Sequence, residues 1–312
     1  MPIPSVVHIY VWFYFIIAIV ALLLIDLFVV NRKDHAISIK EALLTSAFWV
    51  SVALAFNLWF GVHYGRELGL EFLTGYLVEK SLSIDNLFVI LLVFKAFKIK
   101  SSQQHRILFW GILGAIVMRG GLIVLGAGLI HRFHWLLYVF GGILVLTAVK
   151  FLFEKESTAE MKDHWSVHLL RRFVPISQKT ECSSFFVREQ GRLMATPLLV
   201  ALVVVEATDL IFAVDSIPAV FAVTRDSFVA FASNILAILG LRSLFFVLAE
   251  GISKFRYLKP GLASVLGFVG TKMMIADYVK INNWTSLLVI AGILVTAGLT
   301  SWYSDRVENS KK

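Results

Sequence analysis

Residues 197–222 read PLLVALVVVEATDLIFAVDSIPAVFA, twenty-six positions without a lysine or arginine, yet with three carboxylates, Glu206, Asp209 and Asp215, among valine, leucine, isoleucine, alanine and phenylalanine. An α-helix needs about 20 mostly apolar residues to cross the hydrocarbon of a bilayer, where every backbone amide has to be bonded inside the segment. The stretch is long enough to cross. An ionised carboxylate at the centre of such a helix costs about 3 kcal/mol on insertion scales, so its presence asks for a compensating partner and marks a functional position.

The rest of the chain has the same character. Of 312 residues 58% are hydrophobic and 16% charged, a balance that a water-soluble core and surface do not show. Nine stretches qualify as spans, near residues 7–30, 41–62, 70–94, 107–130, 134–153, 197–222, 227–250, 259–279 and 284–303. The expected fold is an all-α integral membrane protein of about nine transmembrane helices. The first stretch has no basic residue before it and exceeds the roughly 7–15 residues of a signal-peptide core, so it reads as a retained helix.

Lysine and arginine orient these spans, because they accumulate in short cytoplasmic connections. Alternate connections carry twenty of them, among them Lys98, Arg171, Arg172, Lys254 and Arg256, whereas the intervening ones hold only Arg66, Arg132, Arg225 and Lys280. The N-terminus is expected outside and the C-terminus in the cytoplasm. The formal net charge of +8 is accounted for by these loops and does not imply nucleic acid. A single cysteine, Cys182, excludes an internal disulfide framework and a cysteine-ligated metal cluster.

Two spans repeat one arrangement. Glu79-Lys-Ser-Leu-Ser-Ile-Asp85-Asn86 in the third and Asp209-Leu-Ile-Phe-Ala-Val-Asp215-Ser216 in the sixth both read acid, five residues, aspartate, then a small polar side chain. Downstream, Ile112-Leu113 followed by Arg119 matches Ile235-Leu236 followed by Arg242, and Lys150 matches Lys272 with one deletion. The unit is therefore three helices, and because three is odd the second copy is inverted, a recurrent plan of secondary transporters. The organisation expected is two N-terminal helices over 1–66, a first three-helix unit over 67–153, a cytoplasmic loop over 154–196, a second unit over 197–280, and a last helix with its tail over 281–312. Within the loop, Trp165 to Phe173 reads as an interfacial amphipathic helix. The segment from Phe185 to Thr196, with Gln190-Gly191 at its centre, reads as a β-hairpin or as a solvated loop.

Glu79, Asp85, Glu206, Asp209 and Asp215 all lie within spans. Lys80, Arg119, Lys150, Arg242 and Lys272 lie inside or near spans as well, so one reading is a set of intramembrane ion pairs that lock helices together. The other is a shared acidic site, favoured because the acids cluster on the equivalent helices of the two units while most of the bases do not. Six residues turn a helix by about 600°, which leaves the two acids of each motif 120° apart unless the helix breaks. Pro218 removes a hydrogen bond to the carbonyl of Val214, beside Asp215, and a freed carbonyl is an oxygen ligand. The candidate metal ligands are Glu79, Asp85, Asn86, Glu206, Asp209, Asp215 and Ser216, an all-oxygen set suited to magnesium, calcium or manganese. All eight histidines fall in loops or at span ends, which disfavours zinc and copper. The zinc-protease, phosphate-loop and nucleophile-elbow motifs are absent from the sequence, so no enzyme is expected.

These motifs, together with Phe185-Phe-Val-Arg, Ala195-Thr-Pro-Leu and the continuation Asp215-Ser-Ile-Pro218-Ala, resemble the TerC family of integral membrane proteins, and within it the Alx-like bacterial members. The resemblance covers nearly the whole chain. It implies a multi-pass protein of the bacterial inner membrane linked to manganese efflux and to tellurite resistance, with the motif carboxylates as ion ligands and Mn2+ as substrate rather than permanent cofactor. Some relatives are tied instead to protein export or membrane-protein assembly, which implies a second possibility, a partner of that machinery that supplies metal to client proteins.

Overall fold

The computed structural model describes residues 7–25, 39–133, 135–153, 165–177, 184–189, 192–251, 258–279 and 281–309. Helices make up almost all of it: α1 (Ile9–Ile25), α2 (Ile39–Tyr64), α3 (Arg66–Ala96), α4 (Ser101–Arg132) and α5 (Leu136–Phe153), then after a short helix α6 (Trp165–Phe173) and two strands, α7 (Pro197–Phe221), α8 (Ser227–Leu239), α9 (Leu241–Gly251), α10 (Leu258–Met274) and α11 (Asn283–Asn309).

Four of these are long and apolar enough to cross a membrane, over Lys40–Tyr64, Gln103–Gly128, Pro197–Phe221 and Asn283–Ser301; a fifth span forms if α8 and α9, bent by 42° at Gly240, count as one. The chain is thus a mostly helical, multi-pass integral membrane protein. α3 is 31 residues long, and its charges, including Glu71, Glu79, Lys80 and Lys95, set it apart from the apolar helices. α1 and the Tyr138–Lys150 part of α5 are apolar but shorter.

The turns follow from local chemistry. Gly65 joins α2 to α3 at φ 104°, a left-handed conformation that side chains resist, and Gly69 lets α3 approach so closely that a Cβ there would sit 3.0 Å from the Cα of Gly61. Asp226 caps α8, its carboxylate accepting from the Phe228 and Val229 amides at 2.8 and 3.0 Å. At the other end of α8, the Lys80 amine of α3 donates to the Ala237 carbonyl at 3.0 Å and fills the space left by the missing side chain of Gly240. A cation at a helix C-terminus is favourable, and here it stabilises the bend.

Between α5 and α7 the amphipathic segment forms α6 and packs against α7, and of the two readings of 185–196 the hairpin is the one that forms. β1 (Phe186–Glu189) pairs antiparallel with β2 (Arg192–Ala195), while Gln190 and Gly191 lie outside the described residues. Thr196 binds the hairpin to the start of α7, its hydroxyl donating to the Ser184 carbonyl at 2.8 Å.

Helix contacts pair the chain across its two halves. α3 runs parallel to α8, with Gly75 against Ser233 and Lys80 over Gly240; α4 runs parallel to α7, with Gly111 against Val205 and Gly126 against Phe221. α5 and α10 cross antiparallel at Gly141 and Gly270, where a Cβ on either would lie within 3 Å of the other's carbonyl oxygen. Small residues at such crossings let backbones meet in lipid, where no hydrophobic effect drives helices together.

Candidate functional site

α3 and α7 touch at their charged centres, and the spacing decides which side chains meet. Glu79, Ser83 and Asn86 stand four and then three residues apart, one stripe of α3; Asp209 and Ser216 stand seven apart, one stripe of α7. The two stripes face each other, and Arg119 enters between them from α4.

Arg119, 1% exposed, is the hub. Its Nε and Nη2 donate to the two oxygens of Asp209 at 3.0 and 2.7 Å, a bidentate fork. Its Nη1 donates to Oε1 of fully buried Glu79 and, at 3.2 Å, to the Ser216 hydroxyl. Asn86 adds an amide hydrogen to Asp209 Oδ1 at 3.1 Å, and the Ser83 hydroxyl donates to Glu79 Oε1 at 3.4 Å. Glu79 Oε2 is buried with no hydrogen-bond partner.

Two cavities flank this centre. One of about 10 Å³ is lined by Asn86, Arg119, Thr147, Ser216 and Leu266, among others, and has room for a single water. The other, about 40 Å³, lies against Asn86, Thr208, Asp209, Ala115, Ile238 and Arg242. Asn86 reaches both, so the Asn86–Asp209 contact stands between them.

Glu79, Asn86, Asp209 and Ser216 of the seven sequence candidates are therefore brought together, and the base Arg119 joins them, which is the ion-pair reading for two of the acids. Glu206, one turn before Asp209, also faces α4 but meets it at Gly114 rather than at Arg119. Its carboxylate occupies the space where a side chain on Gly114 would be, and Oε2 is buried with no hydrogen-bond partner. Asp85 and Asp215 stand on α3 and α7 at the expected positions, but their side chains lie outside the described residues. Among the described residues no three acidic, histidine or cysteine side chains form a metal cage.

A multi-pass helical membrane protein with an arginine-clamped carboxylate centre is the class that fold and site define. Within that class, the family model for the integral membrane protein TerC family matches residues 64–309, and the chain belongs to this family. An uncharacterized membrane protein of Myxococcus xanthus is 50% identical over 97% of this chain and 95% of its own length. The "Putative membrane-bound redox modulator Alx" of Salmonella typhi is 45% identical over 93% of this chain and 94% of its own length, and the protein of the same description from Escherichia coli K12 is 43% identical over 96% and 97%. No solved structure matches the chain.

Proposed function

We propose that this protein exports a hard divalent cation, manganese foremost, across a bacterial inner membrane through the centre where α3 and α7 meet. The observation that carries the reading is the Arg119 clamp: a single buried guanidinium holds two carboxylates from two helices, beside small, mostly apolar cavities into whose walls Asn86, Thr147, Thr208, Asp209 and Ser216 are set. A dication offers those carboxylates more charge than the guanidinium does, so ion entry and release of Arg119 are alternatives at one place. Glu79, Asp209, the Asn86 amide oxygen and the Ser216 hydroxyl are all hard donors, with Asp85, Glu206 and Asp215 on the same two helices. Manganese gives up water more readily than magnesium into a mixed carboxylate and amide site, which favours it as the cargo.

The proposal includes nine spans and two inverted three-helix units, 67–153 and 197–280. The contacts support it: α3 with α8 and α7 with α4 are the same pairing with the units exchanged, and the near-reciprocal Gly141–Gly270 crossing is the contact expected where a two-fold axis passes. A second reading, a metal-supplying partner of protein export, is favoured by the folded platform of α6 and the hairpin, in the connection whose basic residues predict a cytoplasmic side. The redox role in the description of the Alx relatives would come to a chain with one cysteine, which has no dithiol pair of its own.

The test is flux in vesicles containing only the purified protein. Manganese uptake that exceeds protein-free vesicles, with zinc and copper not carried, supports export; no manganese movement under any imposed gradient sinks it in favour of the partner reading.

A further inference from the structure

Asn234 on α8 has none of its surface exposed, and neither its amide nitrogen nor its amide oxygen has a hydrogen-bond partner. Leucine at that position of an apolar helix would leave nothing unsatisfied, so the amide is held at a cost to stability that a structural role does not repay. Its neighbours on the same face show where it points. Phe231, three residues before, puts its ring 3.1 Å from the position of a Cβ on Gly120, next to Arg119. Ile238, four residues after, lines the 40 Å³ cavity with Asn86, Asp209 and Arg242. Residues three and four apart share a helix face. Asn234 accordingly faces α4 between the Arg119 level and the cavity. On the α3 side, Ser233 lies 3.0 Å from the Cβ position of Gly75, one turn before Glu79, whose own Oε2 is unpartnered.

We propose that Asn234 is a ligand of the transported cation, a neutral oxygen donor that takes part once Glu79 and Asp209 are released from Arg119; this rests on the export reading above. The carboxylates of α3 and α7 already supply the negative charge that a dication needs, and an amide oxygen adds coordination without adding to it, so the ion is held and can still leave.

Manganese titration of the purified full chain, with free Mn2+ followed by electron paramagnetic resonance and thermal unfolding measured alongside, separates the outcomes. Asn234→Leu is expected to bind Mn2+ at least tenfold more weakly while melting at the same or a higher temperature. Asn234→Asp, which keeps the shape, is expected to bind at least threefold more tightly and to release the ion more slowly in vesicles. Unchanged affinity in the leucine variant, or in the aspartate variant should leucine fail to fold, overturns the role of Asn234 and leaves the export reading standing. No Mn2+ binding by the unsubstituted protein overturns both.

Discussion

A guanidinium enclosed by helices has to be matched by acceptors, and Arg119 shows how completely the match constrains its partners. Breaking a buried ion pair by removing one side leaves a charge uncompensated and costs about 3–5 kcal/mol. Glu79→Gln and Asp209→Asn are therefore expected to reduce folded protein and lower the melting temperature, because each keeps an acceptor oxygen but removes a negative charge that balances buried Arg119. Asp85→Asn and Asp215→Asn are expected to abolish manganese efflux from loaded cells with abundance nearly intact, since amide replacement keeps the shape and removes the charge that attracts a dication. Normal efflux by either of the latter pair would count against a shared carboxylate site, and loss only in proportion to lost protein would favour ion pairs as mere locks. The repeated motif named Glu79, Asn86, Asp209 and Ser216 together with Asp85 and Asp215; the first four meet because a seven-residue step returns to the same helix face. It could not select Arg119 as the hub or Asn234 as a neighbour, since both come from other helices, where no spacing rule applies. Nor could it separate Glu206 from the centre: one turn before Asp209 on the same helix, it goes to Gly114 because that glycine leaves room for a carboxylate.

Elements were legible where hydropathy alone decides them. The expected 70–94 and 107–130 became the longer α3 and α4, their ends extended by polar turns that hydropathy undercounts. The stretch 227–250 is apolar enough overall to read as one span, which hides the 42° bend at Gly240; the amine that caps the bend, Lys80, is more than 150 residues away. Glycine at a helix crossing is similarly silent until its partner is known. Gly141→Leu is expected to prise α5 from α10, because the added side chain would meet not only Met274 Cγ at 2.7 Å, which can swing aside, but also the Gly270 carbonyl oxygen at 2.9 Å and Met273 Cβ at 3.3 Å, which cannot. The cost should lie in the 1–3 kcal/mol typical of overpacking or above it, read as a lower melting temperature, whereas Gly142→Leu, which faces open space, should melt as the unsubstituted protein does. Equal melting of the two variants would remove the crossing from the list of contacts that hold the units together.

At the scale of the whole molecule, contacts between the ends of the helices sort the connections into two groups. In one, Arg66 lies over the Trp284 ring, Glu71 accepts from Thr224 at 2.6 Å and from Asn283 at 3.3 Å, and Tyr138 bonds to Asp277. These join the connections α2–α3, α4–α5, α7–α8 and α10–α11. In the other, Arg106 at the start of α4 lies over Phe185 of the long loop. The first group is the set with one basic residue each, and the second belongs to the set with many. End contacts and loop charge thus sort these connections in the same way, as they should if the poor set faces outward and the rich set inward. Reporter fusions at Lys98, Arg171 and Arg256 are accordingly expected to show cytoplasmic activity, and a fusion at Arg225 the outer-face signal. A three-helix unit that crosses three times must place Arg171, before the second unit, on the side opposite to its far end near Lys280. Arg171 and Arg256 on opposite faces would therefore break the orientation and the inverted repeat together, because the two crossings between them, 197–222 and 227–250, have to return the chain to the face it left.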